Sequence, residues 1–227
     1  MASNIALPHP DSADDNLVKY WNDIAGEKEF TSDFDIDMLD KYANGKVCVL
    51  DYGCGYGRLM PALLKRKQTE YIGYDPSRRM INQARKRFPD GKFHYSFNTL
   101  KKDIPNDGFD AVLFVSVLTA IPSNDAQKKV LENISSLLKP QGLLILNDFL
   151  VNRDQRNLER YAEAREKHNY PYGVFETEDG AILRHHTEIH LHTLLEDFFK
   201  VLSFENGVIK TMNGNFSNAA KVVAVKK

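Results

Sequence analysis

Residues 49–57 read VLDYGCGYG, three glycines at alternate positions directly behind a short apolar run. A glycine-rich turn leaving the C-terminal end of a strand lets a ligand approach bare backbone, and Gly53, Gly55 and Gly57 sit where such a turn belongs. The dinucleotide fingerprint G-x-G-x-x-G/A fits poorly, because its last position falls on Arg58 when counted from Gly53 and on Met60 when counted from Gly55. A nucleotide-like ligand without phosphates remains. Asp75, followed by Pro76, ends the second apolar run and is placed to accept hydrogen bonds from two ribose hydroxyls, although it could also cap the next helix. Glycines and acid together define an adenosine-containing ligand. Cys54 has no His or Asn within the motif to activate it and reads as a small filler.

A second chemical cluster is LRHHTEIHLH at 183–192. His185 and His186 precede a predicted helix where the chain returns over the strand ends, so either could contact a substrate or serve as general base. His190 and His192 fall within that helix and are expected to face solvent or the sheet. Aromatic residues supply lids: Tyr20 and Trp21 near the start, then Tyr161, Tyr170, Tyr172 and Phe175. The charged run RNLERYAEAREKH reads as a solvated helix face, with Tyr161 and Arg165 on one stripe as the exception.

The elements that must hold these residues follow from periodicity. Apolar, β-branched runs recur as KVCVLD (46–51), EYIGYD (70–75), KFHYSF (92–97), FDAVLFVS (109–116) and GLLILNDF (142–149), alternating with helical segments near 58–68, 77–88 and 124–139. Pro140 and Gly142 are expected to end the last helix. Strands this apolar, linked by helices, imply a parallel sheet covered on both faces. FKVLSFENGVIK and AAKVVAVKK add two strands, paired antiparallel at one edge through NG and NGN turns, which makes seven. The stretch 150–187 is too long for an ordinary connection and is expected to form a cap, helical first and then irregular, before a helix near 188–198. Two short N-terminal helices are expected in NLVKYWNDIAG and DFDIDMLDKYANG, started by Asp or Ser caps.

Composition bounds the partners. The 30 Lys and Arg against 31 Asp and Glu give a net charge of -1, so there is no global positive field for nucleic acid or anionic membrane. The opening MASNIALPHPDSADD has no basic and apolar leader pattern, and no stretch approaches a membrane span. Two cysteines make no disulfide framework and no metal-ligand spacing, which fits a reducing cytoplasm.

VLDYGCGYG, YIGYDPS, FDAVLFVSVLTAIP and LLKPQGLLIL, in that order over about residues 46–149, resemble the class I S-adenosylmethionine-dependent methyltransferases. The resemblance implies a Rossmann-like sheet with the cofactor S-adenosyl-L-methionine lying across the C-terminal strand ends. Asp51, Tyr52, Gly53 and Gly55 would then face its methionine part, and Asp75 with Pro76 its ribose. Asn98 or Thr99 would supply the polar group near adenine, Ser116 would stand at the end of strand four, and Tyr20 or Trp21 would cover the sulfonium or staple its helix to the sheet. The acid that catechol-type enzymes place at the end of strand four is replaced here by Ser116, which leaves Asn147–Asp148 isolated and argues against a metal site. The Asn/Asp-Pro-Pro-Tyr motif of amino-methylating DNA and glutamine enzymes is replaced by VSVLTAIP.

The expectation is a single α/β domain: a seven-stranded, mostly parallel, doubly wound sheet with one antiparallel edge strand and a short cap. Its parts would be an N-terminal helical lid (1–45), a cofactor-binding core (46–149), the cap (150–187) and a C-terminal helix with antiparallel strands (188–227). The expected activity is methyl transfer to an N or O nucleophile of a small molecule, with His186, His185 and Tyr172 as catalytic candidates and nucleic acid an unfavoured partner. The rivals are an RNA or protein methyltransferase, suggested locally by KRK (65–67) and RRMINQARKR (78–87), and a binding protein that has lost turnover.

Overall fold

Alternation along the apolar runs builds two cores, one on each face of a central sheet. The computed structural model describes residues 15–26, 36–212 and 214–227. The parallel strands are β1 Val47–Tyr52, β2 Thr69–Tyr74, β3 Lys92–His94, β4 Phe109–Val115 and β5 Leu138–Phe149. A separate two-stranded hairpin follows, β6 Val174–Glu176 and β7 Ile182–Arg184. The long strands β8 Phe199–Lys210 and β9 Phe216–Lys226 complete the main sheet, whose order is β3-β2-β1-β4-β5-β9-β8. β9 runs antiparallel to both β5 and β8, the pairing expected at this edge.

Helices are α1 Asp15–Asp23, α2 Asp37–Asp40, α3 Met60–Leu63, α4 Arg78–Arg87, α5 Phe97–Leu100, α6 Asn124–Leu137, α7 Gln155–His168 and α8 Glu188–Glu196. All of β1 is buried. Cys48, Leu50 and Tyr52 turn toward the core shared with α6 and α8, whereas Val47 and Val49 turn toward the core that takes in Leu39, Leu63 and Ile81. Four helices begin on side-chain caps that their sequences supply, Ser77 for α4, Ser123 for α6, Asp154 for α7 and Thr187 for α8, whereas α2 follows Ile36 and lacks the Asp or Ser cap expected for it.

Four local expectations change. The helix expected over 58–68 is only α3, one turn long. KFHYSF gives three strand residues and then α5, which starts just after Ser96. α6 ends at Leu137 and β5 starts at once, so Pro140 and Gly142 do not end the helix. They lie instead in a bulge between the pairs Phe109–Leu138 and Ala111–Leu143, with Gln141 at φ +61°, where the missing N–H of proline breaks no ladder bond. The cap is helical first, as expected, but its second half is the β6–β7 hairpin. The reading of the first residues as lacking a leader, and the start of DFDIDMLDKYANG, lie outside the described residues.

The strand order reverses between β1 and β4, so the loops that leave their C-terminal ends diverge and open a crevice. Asn22 of α1 leans over that crevice, accepting hydrogen bonds from the Ser77 hydroxyl (2.9 Å) and the Arg79 N–H (3.2 Å) at the start of α4.

Candidate active site

Two adjoining cavities occupy the crevice. The larger, about 260 Å³, is lined by Tyr52, Gly53 and Gly55 of the loop after β1, by Asp75 and Pro76 after β2, and by Ser116 at the end of β4. Tyr20 and Trp21 of α1 close it, packed edge to face at 5.1 Å. These are residues the sequence reading grouped around a cofactor. Among the described residues, none of the side chains lining this cavity is Lys, Arg or His.

Backbone geometry explains the glycines. Gly53 sits at φ +82°, and a Cβ there would lie 2.4 Å from Val117 Cγ2. The N–H groups of Gly53 and Cys54 both donate to the Tyr74 carbonyl, folding the loop over β2. Gly55, at φ +54°, donates its N–H to Asp75 Oδ2 at 2.9 Å, while Oδ1 accepts the Ser77 N–H at 2.8 Å. Asp75 therefore does not cap α4, which Ser77 does through its hydroxyl and the Met80 N–H. A carboxylate has about four acceptor positions, so Asp75 keeps room for ligand hydroxyls. Burial raises its pKa to about 6, against the opposing pull of its two backbone hydrogen bonds.

Three expected cofactor residues do not line either cavity. Asp51 lies beneath the loop, buried, with Oδ2 accepting the Tyr71 phenol at 2.7 Å and its pKa raised to about 6 by burial. Asn98 is exposed, and the Thr99 hydroxyl turns back to the Ser96 carbonyl at 2.9 Å. α5 is the reason: winding 97–100 into a helical turn brings Phe97, not its polar successors, to the cavity wall. Cys54 is buried, with its thiol pKa raised well above the ordinary value by desolvation and the nearby acids.

The second cavity, about 140 Å³, shares Tyr20, Trp21 and Ser116 with the first and extends beneath the cap. His185 lines it, stacked on Phe149 and edge-on to Phe175. Around its Nδ1 converge the Tyr161 hydroxyl at 2.6 Å, the Asn152 amide nitrogen at 3.3 Å and an Arg160 nitrogen at 3.5 Å. The Asn152 nitrogen can only donate and reaches Nδ1 alone, which assigns Nδ1 as acceptor and puts the proton of the neutral ring on Nε2. Burial, then the charge of Arg160, holds the His185 pKa well below 6.5.

Two catalytic candidates are corrected. His186 is fully buried and lines neither cavity: Nδ1 donates to the Phe149 carbonyl at 3.1 Å, and Nε2 meets the Gln127 amide nitrogen at 2.9 Å. Gln127 in turn accepts from His190 Nε2 at 2.7 Å, so both rings are set in a polar network with pKa values depressed to about 3 and about 4, chiefly by burial. Tyr172 is 49% exposed, stands edge-on to Tyr161 and lines neither cavity. Arg165 likewise faces solvent.

The sequence reading missed Arg156, Arg160 and Phe149, which line the second cavity, and Arg184, which orders its surroundings. Arg184 is buried and donates to the Pro122 carbonyl (2.9 Å) and Asn124 Oδ1 (2.6 Å), tying β7 to the loop before α6. The signal for the first pair was present: Arg156 and Arg160 are four apart on a helix, on one face. Ser116 is also unusual, a serine at φ +58° whose N–H donates to the Asn147 carbonyl.

The fold is that of the Rossmann-like, class I S-adenosylmethionine-dependent methyltransferases. A family profile described as a methyltransferase domain matches residues 23–201, and the chain belongs to that family. A tRNA U34 carboxymethyltransferase of Pseudoalteromonas atlantica is 31% identical over 124 residues, 52% of this chain and 38% of that protein. The chain spans about half the length, or less, of the curated relatives it matches. Among solved structures, a S-adenosylmethionine-dependent methyltransferase of Methanosarcina mazei superposes with a TM-score of 0.75 at 21% identity, over 86% of this chain and 99% of that one. A Burkholderia thailandensis 1,6-didemethyltoxoflavin-N1-methyltransferase, bound to that substrate and S-adenosylhomocysteine, gives 0.58 at 18% identity, over 94% of this chain and 80% of that one. Identities this low support the fold alone.

Proposed function

We propose that the protein binds S-adenosylmethionine in the larger cavity and transfers its methyl group to an N or O nucleophile of a small molecule held in the second. The observation that carries this reading is the separation of charge: among the described residues the larger cavity has Asp75 and no cationic side chain, which suits a cationic ligand without phosphates, whereas the arginines line the smaller one. When bound, S-adenosylmethionine supplies a methyl carbon on a positively charged sulphur, to which an acceptor lone pair bonds as the carbon–sulphur bond breaks and its electrons neutralise the sulphur.

The work left to the chain is positioning and exclusion of water. Asp75 holds the ribose hydroxyls, and Tyr20 with Trp21 covers the line of approach. Ser116, shared by both cavities, stands where the two reactants meet. His185 presents Nε2–H as a donor and orients the acceptor rather than taking its proton, as a neutral ring with a low pKa should.

A small acceptor is favoured because the arginines of the basic segments are engaged locally. Arg66 pairs with Asp40, Arg85 donates to the Phe93 carbonyl, and Arg78 and Arg87 lie over the Tyr95 and Tyr56 rings. Among the described residues no helix is long and apolar enough to cross a membrane. Two buried free thiols suit the reducing cytoplasm where we place the protein. The test is to incubate the chain with S-adenosylmethionine labelled in the methyl group and an extract split into small-molecule, RNA and protein fractions. Label in the small-molecule fraction is expected; label confined to RNA or protein overturns the acceptor class, and failure to bind S-adenosylhomocysteine overturns the cofactor.

A further inference from the structure

The second cavity holds a positive charge with no ion-paired carboxylate among the described residues. Arg160 lies with its guanidinium 3.5 Å over the Phe175 ring centre and a terminal nitrogen 3.5 Å from both nitrogens of His185. Its Nε is buried with no hydrogen-bond partner among the described residues. No carboxylate of the described residues comes within ion-pair distance of it. Burial lowers its pKa, but a guanidinium stays protonated at any physiological pH, so its charge remains in place. Arg156, one helical turn earlier on α7, adds a second guanidinium to the same wall. Asp179 also lines this cavity, but its oxygens accept the Tyr20 phenol at 2.8 Å and the Thr177 hydroxyl at 2.6 Å.

A half-buried cation held open in this way costs stability unless something in the cavity completes it. The neighbouring wall is aromatic, with Phe149 and Phe175 flanking His185 and Trp21 at the opening. We propose that the methyl acceptor is a planar ring bearing a carboxylate, the ring lying among Phe149, Phe175 and Trp21 and the carboxylate taken by Arg160 with Arg156 in support. This rests on the assignment of the second cavity as the acceptor site. The same arrangement places negative charge beside the chamber proposed for a cationic cofactor, so the two ligands would attract rather than repel.

Benzoate and its neutral isostere benzamide test the idea, each titrated calorimetrically into the full-length protein saturated with S-adenosylhomocysteine. Benzoate should bind at least ~10-fold more tightly than benzamide, the ordinary advantage of a charge-assisted hydrogen bond. Arg160→Met should remove that preference while S-adenosylhomocysteine affinity changes less than about twofold, and Arg160→Lys should keep part of it. Arg156→Gln, at the more exposed position, should lower benzoate affinity by a smaller factor and serves if Arg160→Met does not fold. Equal affinity for the two probes, no binding of either, or a preference that survives in the substituted protein overturns the proposal. Intact S-adenosylhomocysteine binding beside any of those results leaves the cofactor site standing. Selective benzoate binding by a protein that ignores S-adenosylhomocysteine sinks the cofactor reading instead.

Discussion

The Tyr20 phenol donates a hydrogen bond to Asp179 Oδ2 at 2.8 Å, joining two residues 159 positions apart. Tyr20 belongs to α1 and Asp179 to the turn between β6 and β7, so the bond fastens the N-terminal helix to the cap above the junction of the two cavities. Tyr20→Phe should therefore loosen the cover without emptying the core. An exposed neutral-to-charged hydrogen bond contributes on the order of 1 kcal/mol, so the Kd for S-adenosylhomocysteine should rise roughly fivefold, mostly through faster dissociation seen by stopped flow. A dissociation rate equal to the parent's would show that α1 is not a lid.

Asp75 is expected to carry the ribose. Replacing it by Ala should weaken S-adenosylhomocysteine by about 1.5–3 kcal/mol in calorimetric titration, and by Asn less, since Asn retains one acceptor oxygen. The bond from the Gly55 N–H means that Asp75→Ala will also slacken the glycine loop, so thermal stability must be recorded alongside affinity.

Adjacent histidines should behave in opposite ways. His186→Ala removes a fully buried ring bonded to Phe149 and Gln127, and should destabilise the fold by about 2–3 kcal/mol while leaving the pH dependence of turnover unchanged. His185→Ala should lower turnover and acceptor affinity with S-adenosylhomocysteine affinity preserved. Because the folded His186 pKa is near 3, below the unfolded value near 6.5, the parent should lose stability relative to His186→Gln as pH falls from about 6.5 toward 3. Denaturant melts at a series of pH values measure that difference.

Asp148 gives a pH dependence of the opposite sign. Its carboxyl is fully buried, with Oδ1 accepting the N–H groups of Thr119 and Phe149, and desolvation lifts its pKa to about 7. The folded protein therefore holds this proton more tightly than the unfolded chain. The contribution is complete below about pH 4 and fades as pH rises through 7. Relative to Asp148→Asn, the parent should lose about 4 kcal/mol between pH 4 and 8, the value of a shift of about three pH units, read from the same denaturant melts. A flat difference would mean that the carboxylate is ionised and adequately satisfied in place.

Ser116 occupies left-handed backbone at the point shared by both cavities. Ser116→Gly should relieve the backbone and raise the melting temperature by a few degrees, equivalent to roughly 1 kcal/mol, while turnover falls for want of the hydroxyl. An unchanged rate would make the conformation a matter of chain geometry only.

Periodicity and turn chemistry made the sheet legible in the sequence, because apolar runs that alternate with helical segments have few ways to bury both faces. The glycine loop and Asp75 were legible for a related reason: bare backbone behind a strand and an acid at the end of the next one are local features, and β1 pairs with β2 directly. His185 and His186 show where local reading stops. Side chains of neighbouring residues in extended chain point to opposite sides, and the isolated bridge from Leu150 to His186 sets which one faces the core. Gln127, 59 residues earlier, then completes the burial of His186. Nothing within RHHT carries that information. The same holds for the charge pattern, since Arg156 and Arg160 read as a solvated face until α7 folds back against the β6–β7 hairpin and Phe175 comes to lie beneath Arg160. Which cations meet water and which meet a cavity depends on long-range packing, and only the tertiary structure decided it.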